Sequence, residues 1–200
     1  MPPTAAAAIG PGDLVGVVEP RGPRLALVLA LKGSRASLAV GFDARPQQLP
    51  LRELTLLSSL PGDRDCPTRL EQEPWRLDAA RIAGPAFPAR EYGAAWLLLQ
   101  ADPEAAALSL SAFVDLIGDG ADPAQRAAVW LWLAGSQNLF RFRHGLLEPR
   151  PLTEVRRLRR ERRLRELAEQ RQHAWHGALR ERRPLTAESL GPVEAQELAL

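Results

Sequence analysis

Short apolar runs, separated by proline and glycine, dominate the first sixty residues of the chain. Residues 14–19, 24–31 and 35–41 predict three β-strands, because each run is rich in strand-favouring residues and is bounded by turn residues. Residues 48–51 and 55–57 predict two more strands. Five short strands at intervals of about ten residues are typical of a small barrel, so we expect an SH3-like β-barrel here.

Helical periodicity replaces this pattern after residue 90. A first helix is predicted at residues 91–100, where apolar side chains recur on one face. Asp102-Pro103-Glu104 predicts the start of a second helix that reaches Ile117, because Asp is a favoured N-cap and Pro a favoured first helical residue. Asp122-Pro123 predicts a third helix by the same chemistry, with Gly135 closing it. This third helix is apolar nearly all round, so we expect it to be buried.

A β-hairpin is predicted after the three helices. Residues 139–142 form one strand, His144-Gly145 the turn and residues 146–148 the return strand. Three helices followed by a hairpin is the order of a winged helix, which is a helix-turn-helix variant. Arg141 and Arg143 precede the hairpin tip, where a wing would meet a phosphate backbone.

A long Arg-rich helix is predicted next, with Thr153 as its cap and Pro184 as its stop. In the proline-rich segment before the helices, Trp75 and Phe87 are expected to anchor the chain onto a domain. The predicted fold class is α+β: a small SH3-like β-barrel followed by a winged-helix domain and a long basic C-terminal helix. The predicted boundaries are 1–12 for a disordered N-terminus, 13–60 for the barrel, 61–90 for a Pro-rich linker with one helical turn near 77–82, 91–151 for the winged helix, 152–183 for the long helix and 184–200 for a tail or the start of a truncated helix.

Charge is unevenly spread along a chain whose formal net charge is only +2, with 26 cationic and 24 acidic residues. Lys32 is the one lysine, so all the other cations are arginine. The densest run, residues 156–165, holds seven arginines against Glu161 alone. Such a block attracts polyanions by counterion release, and the guanidinium fork suits phosphate. A solvated helix face with ion pairs such as Glu161 to Arg165 explains the same run, so both interpretations stay open.

Several classes of protein are excluded by the sequence. The longest uncharged apolar stretches fall short of the roughly 20 residues that span a bilayer, so we expect no membrane protein. Residues 1–10 have no basic segment before their alanines, which argues against a secretory signal and for a cytoplasmic location. Cys66 is the only cysteine, which excludes a disulfide framework and a Cys-rich zinc site.

Catalytic and metal-binding motifs are also missing from the sequence. It contains no GxGxxG, GxxxxGK[ST], HExxH or GxSxG motif. Asp115, Asp119 and Asp122 are better explained by a helix end and a helix cap than by a metal site. His173 and His176 share a helix with many arginines, so we interpret them as surface residues. The aromatic residues around the third helix and the hairpin are expected to be core rather than a base-stacking platform; they are Trp130, Trp132, Phe140 and Phe142.

Five short stretches, taken with the predicted domain order, carry a family resemblance. They are Gly12-Asp13-Leu14-Val15-Gly16-Val17-Val18, Leu51-Arg52-Glu53-Leu54-Thr55, Asn138-Leu139-Phe140-Arg141-Phe142, Leu147-Glu148-Pro149-Arg150-Pro151-Leu152 and Val155-Arg156-Arg157-Leu158. With these stretches, residues 12–183 resemble the N-terminal, non-catalytic region of ribonuclease II/ribonuclease R-type (RNB family) 3′–5′ exoribonucleases of the cyanobacterial and chloroplast kind.

The resemblance implies an RNA-binding accessory region. Members of that family cut RNA with Mg²⁺ held by aspartates of the RNB domain, which follows this region, and no position here matches the aspartate motif. We therefore expect the chain to bind RNA, or a nuclease partner, without cutting, and we assign it no catalytic residue, metal or cofactor. A longer relative would be a Mg²⁺-dependent exoribonuclease. The chain fits a fragment, a truncated relative or a stand-alone product that kept the accessory domains.

The expected partner is single-stranded RNA, bound through its phosphates and without sequence preference. The candidate nucleic-acid-binding residues are Arg141, Arg143, Arg150, Arg156, Arg157, Arg159, Arg160, Arg162 and Arg163. One alternative is a protein-interaction module or decoy that docks a partner of the nuclease through the barrel and the amphipathic helix, with Leu164, Leu167 and Trp175 in contact. A DNA-binding regulator ranks lower, because residues 123–134 offer only Gln125 and Arg126 for base readout.

Overall fold

The computed structural model describes residues 9–62, 64–102, 107–118, 120–135, 137–143 and 146–181. Their strands are β1 (Leu14–Glu19), β2 (Gly22–Lys32), β3 (Arg35–Val40), β4 (Arg45–Pro50), β5 (Leu54–Ser58), β6 (Phe140–Arg143) and β7 (Leu146–Pro149). Their α-helices are α1 (Ala79–Ile82), α2 (Ala89–Ala101), α3 (Leu110–Ile117), α4 (Pro123–Ala134) and α5 (Leu152–Arg180), and Leu51–Glu53 forms a 3-10 turn. The chain divides into two compact units, the second beginning at Pro151.

The first five strands form one antiparallel sheet in the order β4-β3-β2-β1-β5. β1 is an interior strand next to the edge strand β5, since Leu14 pairs with Leu27 of β2 on one side and with Ser58 of β5 on the other. The sequence pattern placed β1 correctly, and it placed β2 and β3 within two residues. Within the described residues no pairing joins β4 to β5, so the molecule has an open five-stranded sheet rather than a hydrogen-bonded closed barrel.

Both faces of β1 are buried from Leu14 to Val17, which explains the continuous apolar sequence of that part of the strand. Val15 and Val17 point to one face and join a buried cluster there. The other members of that cluster are Ala26, Val28, Ala36, Leu38 and Val40. On the opposite face Gly16 lies against the indole of Trp130 in α4. One face of the sheet therefore covers this apolar cluster, and the other face packs against α4.

The predicted linker is packed against the rest of the first unit. Its Trp75 is 4% exposed, and the indole Nε1 donates a 3.0 Å hydrogen bond to the carbonyl oxygen of Gly12. Phe87 lies so close to Gly118 that an added Cβ would overlap its ring. These contacts confirm that both aromatic residues anchor the segment. The expected single helical turn is α1.

The second predicted helix is wrong at residues 107–109, which are described and are not helical. α3 begins at Leu110, because the hydroxyl of Ser109 accepts a 3.1 Å hydrogen bond from the Ala112 amide and caps it. Before it, Leu108 exchanges two backbone hydrogen bonds with Leu147 of β7, at 3.0 and 2.7 Å, and so cannot be helical. Asp102 is the C-cap residue of α2, and the rest of the predicted start, Pro103-Glu104, lies outside the described residues.

The predicted third helix, α4, is confirmed at both ends. The Asp122 carboxylate accepts a 2.8 Å hydrogen bond from the amide of Gln125, and the Gln125 side chain accepts a 2.9 Å bond from the amide of Asp122. This reciprocal capping box fixes the start of α4. No residue of α4 is exposed, and Trp130 is 1% exposed, so the expected burial is confirmed.

The segment expected to be a disordered N-terminus is ordered at its end. The amide of Gly12 donates a 2.6 Å hydrogen bond to the carbonyl of Val28. The buried carboxylate of Asp13 accepts 2.7 Å hydrogen bonds from the amides of Gly10 and Leu60. Residues 1–8, also predicted to be disordered, lie outside the described residues. No helix in the described part of the chain is both long and apolar enough to cross a membrane.

Candidate nucleic-acid interface

Helix α5 carries most of the predicted RNA-binding residues. It holds nine arginines and four glutamates over 29 residues, which extend about 43 Å along the helix axis. Its N-cap residue is Pro151, not the predicted Thr153, and Pro151 makes no side-chain cap. Proline is tolerated at this end of a helix because it has no amide hydrogen, and the first amides of a helix have no partner within it. The helix ends at Arg180, and the predicted end at residue 183 lies outside the described residues.

Two glutamates neutralise two of these arginines. Nη1 of Arg157 lies 2.6 Å from Oε1 of Glu161, and Nε of Arg162 lies 2.9 Å from Oε1 of Glu166. The sequence predicted a pair between Glu161 and Arg165, whereas Glu161 pairs with the arginine of the preceding turn. Helical side chains lean toward the N-terminus, and that tilt brings Glu161 to Arg157. The ion-paired interpretation is therefore correct for part of the run.

Four other arginines form a continuous cationic face. Arg156, Arg159, Arg160 and Arg163, here the arginine stripe, are all exposed, and none makes an ion pair with any residue that the structure describes. Their spacing of i, i+3, i+4 and i+7 places them on one side of the helix, over about 10 Å of its axis. Val155, at the edge of the stripe and one turn before Arg159, is 2% exposed. The stripe thus presents four guanidinium groups to solvent.

The candidates in the hairpin have different surroundings. Nε of Arg141 donates a 3.1 Å hydrogen bond to Oε2 of Glu148, its register partner on β7. Nε of Arg150 donates a 3.0 Å bond to the carbonyl of Phe140. Both side chains therefore hold the hairpin together. Arg143 ends β6, and its side chain lies outside the described residues, as does the predicted turn at positions 144–145.

The helix that would read DNA in a winged helix is not free to do so. α4 packs against β1, β2 and β5, with Trp130 over Gly16. A helix enters a major groove with an exposed polar face, and α4 has no exposed residue. This packing removes the structural basis for the DNA-regulator alternative.

The aromatic residues near the hairpin are structural. Phe140 is fully buried, and its ring meets that of Phe113 edge-on at a centroid distance of 4.9 Å. The ring of Trp132 stacks on that of Tyr92, with the two ring centroids 3.9 Å apart. Burial of Tyr92 raises the pKa of its hydroxyl, and the nearby backbone amides of Phe87 and Ala86 offset part of that rise. Trp132 and Phe140 therefore pack against other rings and Trp130 packs against Gly16, as expected for core residues, whereas Phe142 is half-buried.

The carboxylates considered for a metal site do not come together within the described residues. Among the described residues no group of three His, Cys, Asp or Glu side chains could hold a metal ion. Asp122 caps α4 and forms an ion pair with Arg81, as expected for a structural carboxylate. Asp115 is exposed, and Asp119 lies outside the described residues.

A cleft of about 460 Å³ lies between the β1–β2 turn and β4. No sequence motif indicated it, because β4 is not a neighbour of β1 or β2 in the sheet. Nη1 of Arg24 lies 3.8 Å from Oε2 of Glu19, and its Nη2 lies 3.0 Å from Oδ1 of Asp43. Nε of Arg45 lies 2.7 Å from Oδ2 of Asp43. Two of the three arginines that line the cleft are therefore paired with carboxylates.

Comparison with known proteins adds no relative. The chain matches no protein-family model, no curated protein and no solved structure. The resemblance to the RNB-family exoribonucleases therefore rests on the five sequence stretches and the predicted domain order.

Proposed function

We propose that this chain is a non-catalytic RNA-binding accessory module that holds RNA phosphates on the arginine stripe of α5. The observation that carries the proposal is the division of arginines on this helix. Arg157 and Arg162 are neutralised by glutamates, while the four stripe arginines are exposed and make no ion pair within the described residues. Guanidinium groups in that state can form paired hydrogen bonds to phosphate oxygens.

The stripe favours RNA binding without sequence preference. Its four side chains can reach a phosphate backbone, but the aromatic residues that could stack on bases are occupied by packing in the first unit. Phosphate contacts fix position and carry no base information. The proposed ligand is therefore single-stranded RNA bound through its backbone, in a cytoplasmic setting, with no metal or cofactor held by this chain.

The finer architecture that we propose is an SH3-like barrel followed by a winged helix. The strand order β4-β3-β2-β1-β5 and the 3-10 turn between β4 and β5 support the first part. The second part is supported by the order α2, α3, α4, hairpin, and by the bridge between Leu108 and Leu147, which adds a third strand position to the hairpin. This arrangement is what the family resemblance implies for an accessory region.

The test is a salt series of binding to a fluorescent single-stranded RNA, with Mg²⁺ present and the RNA then run on a gel. Four phosphate contacts should give a slope of about −3 in a plot of log affinity against log salt. The RNA should remain intact, because the chain supplies no catalytic motif. Absence of binding at low salt, or affinity that does not change with salt, would contradict the proposal.

A second candidate function is docking to a protein partner of a nuclease. Leu164 is 57% exposed and Leu167 is 43% exposed on the helix that carries the stripe. Exposed leucines within and just after a basic run suit an amphipathic helix that pairs with a partner. If the chain binds no RNA at low salt, Leu164→Glu with Leu167→Glu should release a purified nuclease partner that the wild-type chain retains.

A further inference from the structure

The exposed side of α2 is an uncharged surface in a chain that is otherwise 25% charged. From Tyr92 to Ala101 the helix has no charged residue. Leu97 is 63% exposed and Leu98 is 56% exposed, which places two large apolar side chains in water side by side. A contiguous exposed apolar patch of this kind marks a contact surface.

This surface has a regular layout. Ala94 and Ala101 are also exposed, and together with the two leucines they lie at i, i+3, i+4 and i+7 on one face, here the α2 stripe. The opposite face of the helix is committed to the core of the first unit, since Tyr92 and Leu99 are at most 2% exposed. No side chain of the described residues covers the α2 stripe enough to bury its leucines.

We propose that a second copy of this chain covers the α2 stripe, with the two α2 helices antiparallel about a two-fold axis. The stripe reads Ala, Leu, Leu, Ala in either direction, so its midpoint lies between Leu97 and Leu98. A two-fold interface requires such a self-complementary patch. The axis puts Leu97 opposite Leu98 of the second copy, and Ala94 opposite its Ala101. The small alanines leave room for the leucines to interdigitate at close helix separation.

The charges at the ends of α2 favour the antiparallel arrangement. Arg90 lies on the same face one turn before Ala94; its side chain is 83% exposed, and its Nε lies 3.1 Å from Oε1 of the adjacent Glu91, which leaves its terminal nitrogens at the surface. The other end of the helix carries the last carbonyl groups, which form the negative end of the helix dipole. Antiparallel pairing brings each Arg90 to the negative end of the opposite helix, whereas parallel pairing brings the two Arg90 side chains together.

The dimer should be weak and concentration-dependent. One helix stripe buries less than the roughly 800 Å² per partner of a stable interface. Sedimentation equilibrium over a wide concentration range should show a reversible monomer–dimer equilibrium for the wild-type chain. Leu97→Glu with Leu98→Glu should weaken the association at least tenfold, because it places carboxylates against the axis. Val18→Glu is the control, since Val18 is 69% exposed on the sheet and should leave the association unchanged.

A crosslinking experiment tests the geometry in the full chain with Cys66→Ser. Ala94→Cys and Ala101→Cys are prepared separately and treated with a short thiol crosslinker, alone and mixed. The proposed axis predicts crosslinked dimers mainly in the mixture, because position 94 lies opposite position 101 of the second copy. A chain that stays monomeric at every concentration overturns the proposal. So does crosslinking of Ala94→Cys to itself at the rate of the mixture.

Discussion

Gly16 of β1 lies directly beneath the indole ring of Trp130 in α4. A Cβ on Gly16 would come within 2.6 Å of Cδ2 of that ring, and closer still to two other ring atoms. Real side chains do not approach so closely, so glycine is required here by proximity. This contact joins the sheet to the helical part of the first unit, and it allows a buried tryptophan to cover the centre of β1.

Gly16→Ala should therefore destabilise the fold. Overpacking of a well-packed core typically costs about 1–3 kcal/mol, and the rigid indole and the interior strand leave little room to relax. Urea unfolding followed by tryptophan fluorescence measures the effect. Gly93→Ala in α2 is the control, because its Cβ would meet nothing within 4 Å, and alanine should raise stability by up to about 1 kcal/mol. Equal effects of the two substitutions would refute the close-packing argument.

Asp13 should contribute strongly to stability through its two backbone partners. Its carboxylate oxygens each accept a 2.7 Å hydrogen bond, one from Gly10 and one from Leu60, and the residue is 5% exposed. Asp13→Ala leaves both amides without their acceptor and should cost about 2–3 kcal/mol. Asp13→Asn keeps one acceptor oxygen and should cost less. Asp78→Ala, which removes only the exposed cap of α1, should cost about 1 kcal/mol in the same unfolding assay.

Tyr92 should make the stability of the protein sensitive to alkaline pH. Burial raises the pKa of its hydroxyl above the ordinary tyrosine value of about 10. The phenol therefore ionises more readily in the unfolded chain, so its contribution is complete below pH 10 and is lost as the pH rises through the folded pKa. Because the chain has one tyrosine, absorbance of the phenolate reports this group alone. Unfolding should restore the ordinary titration midpoint.

Tyr92→Phe provides a second readout of the same side chain. The hydroxyl is buried and makes no hydrogen bond of normal geometry within the described residues, although the backbone amides of Phe87 and Ala86 lie near it, so its removal should be neutral or should stabilise by about 1 kcal/mol near pH 7. The variant should also lose part of the decline in stability above pH 10. A loss of more than 1 kcal/mol at neutral pH would show that the hydroxyl is satisfied in solution.

The sequence predicted those elements whose signals are local. α4 was found at both ends because Asp122 and Pro123 are strong start signals and Gly135 lies beyond its last turn. The same Asp-Pro signal at Asp102 predicted one continuous helix as far as Ile117. That prediction failed at Leu108, which pairs with a strand residue 39 positions away. Local spacing contains no information on such a partner. For the same reason the sequence showed that the third helix is buried but could not show that β1 covers it.

The candidate interface was predicted at the level of the basic run. Spacing alone did not separate the arginine stripe from the arginines that are ion-paired, because Glu161 has an arginine within reach on either side. Nor did it show that Arg141 and Arg150 are used within the hairpin. Those distinctions depend on side-chain positions. They leave five of the nine candidates, namely the four stripe arginines that carry the proposal and Arg143, whose side chain lies outside the described residues.

The most direct test of the RNA-binding account compares two double variants of α5 that remove the same charge. Arg159→Gln with Arg160→Gln removes half of the stripe, whereas Arg157→Gln with Arg162→Gln removes only ion-paired arginines. Glutamine preserves helix propensity in both. The measurement is the salt dependence of affinity for the same single-stranded RNA.

The account predicts that the stripe variant lowers the magnitude of the slope by about 1.4, which corresponds to two phosphate contacts on a single strand. The ion-paired variant should keep a slope close to that of the wild-type chain. Equal losses in the two variants would contradict the account, because they would show that total charge, and not the exposed stripe, determines RNA binding.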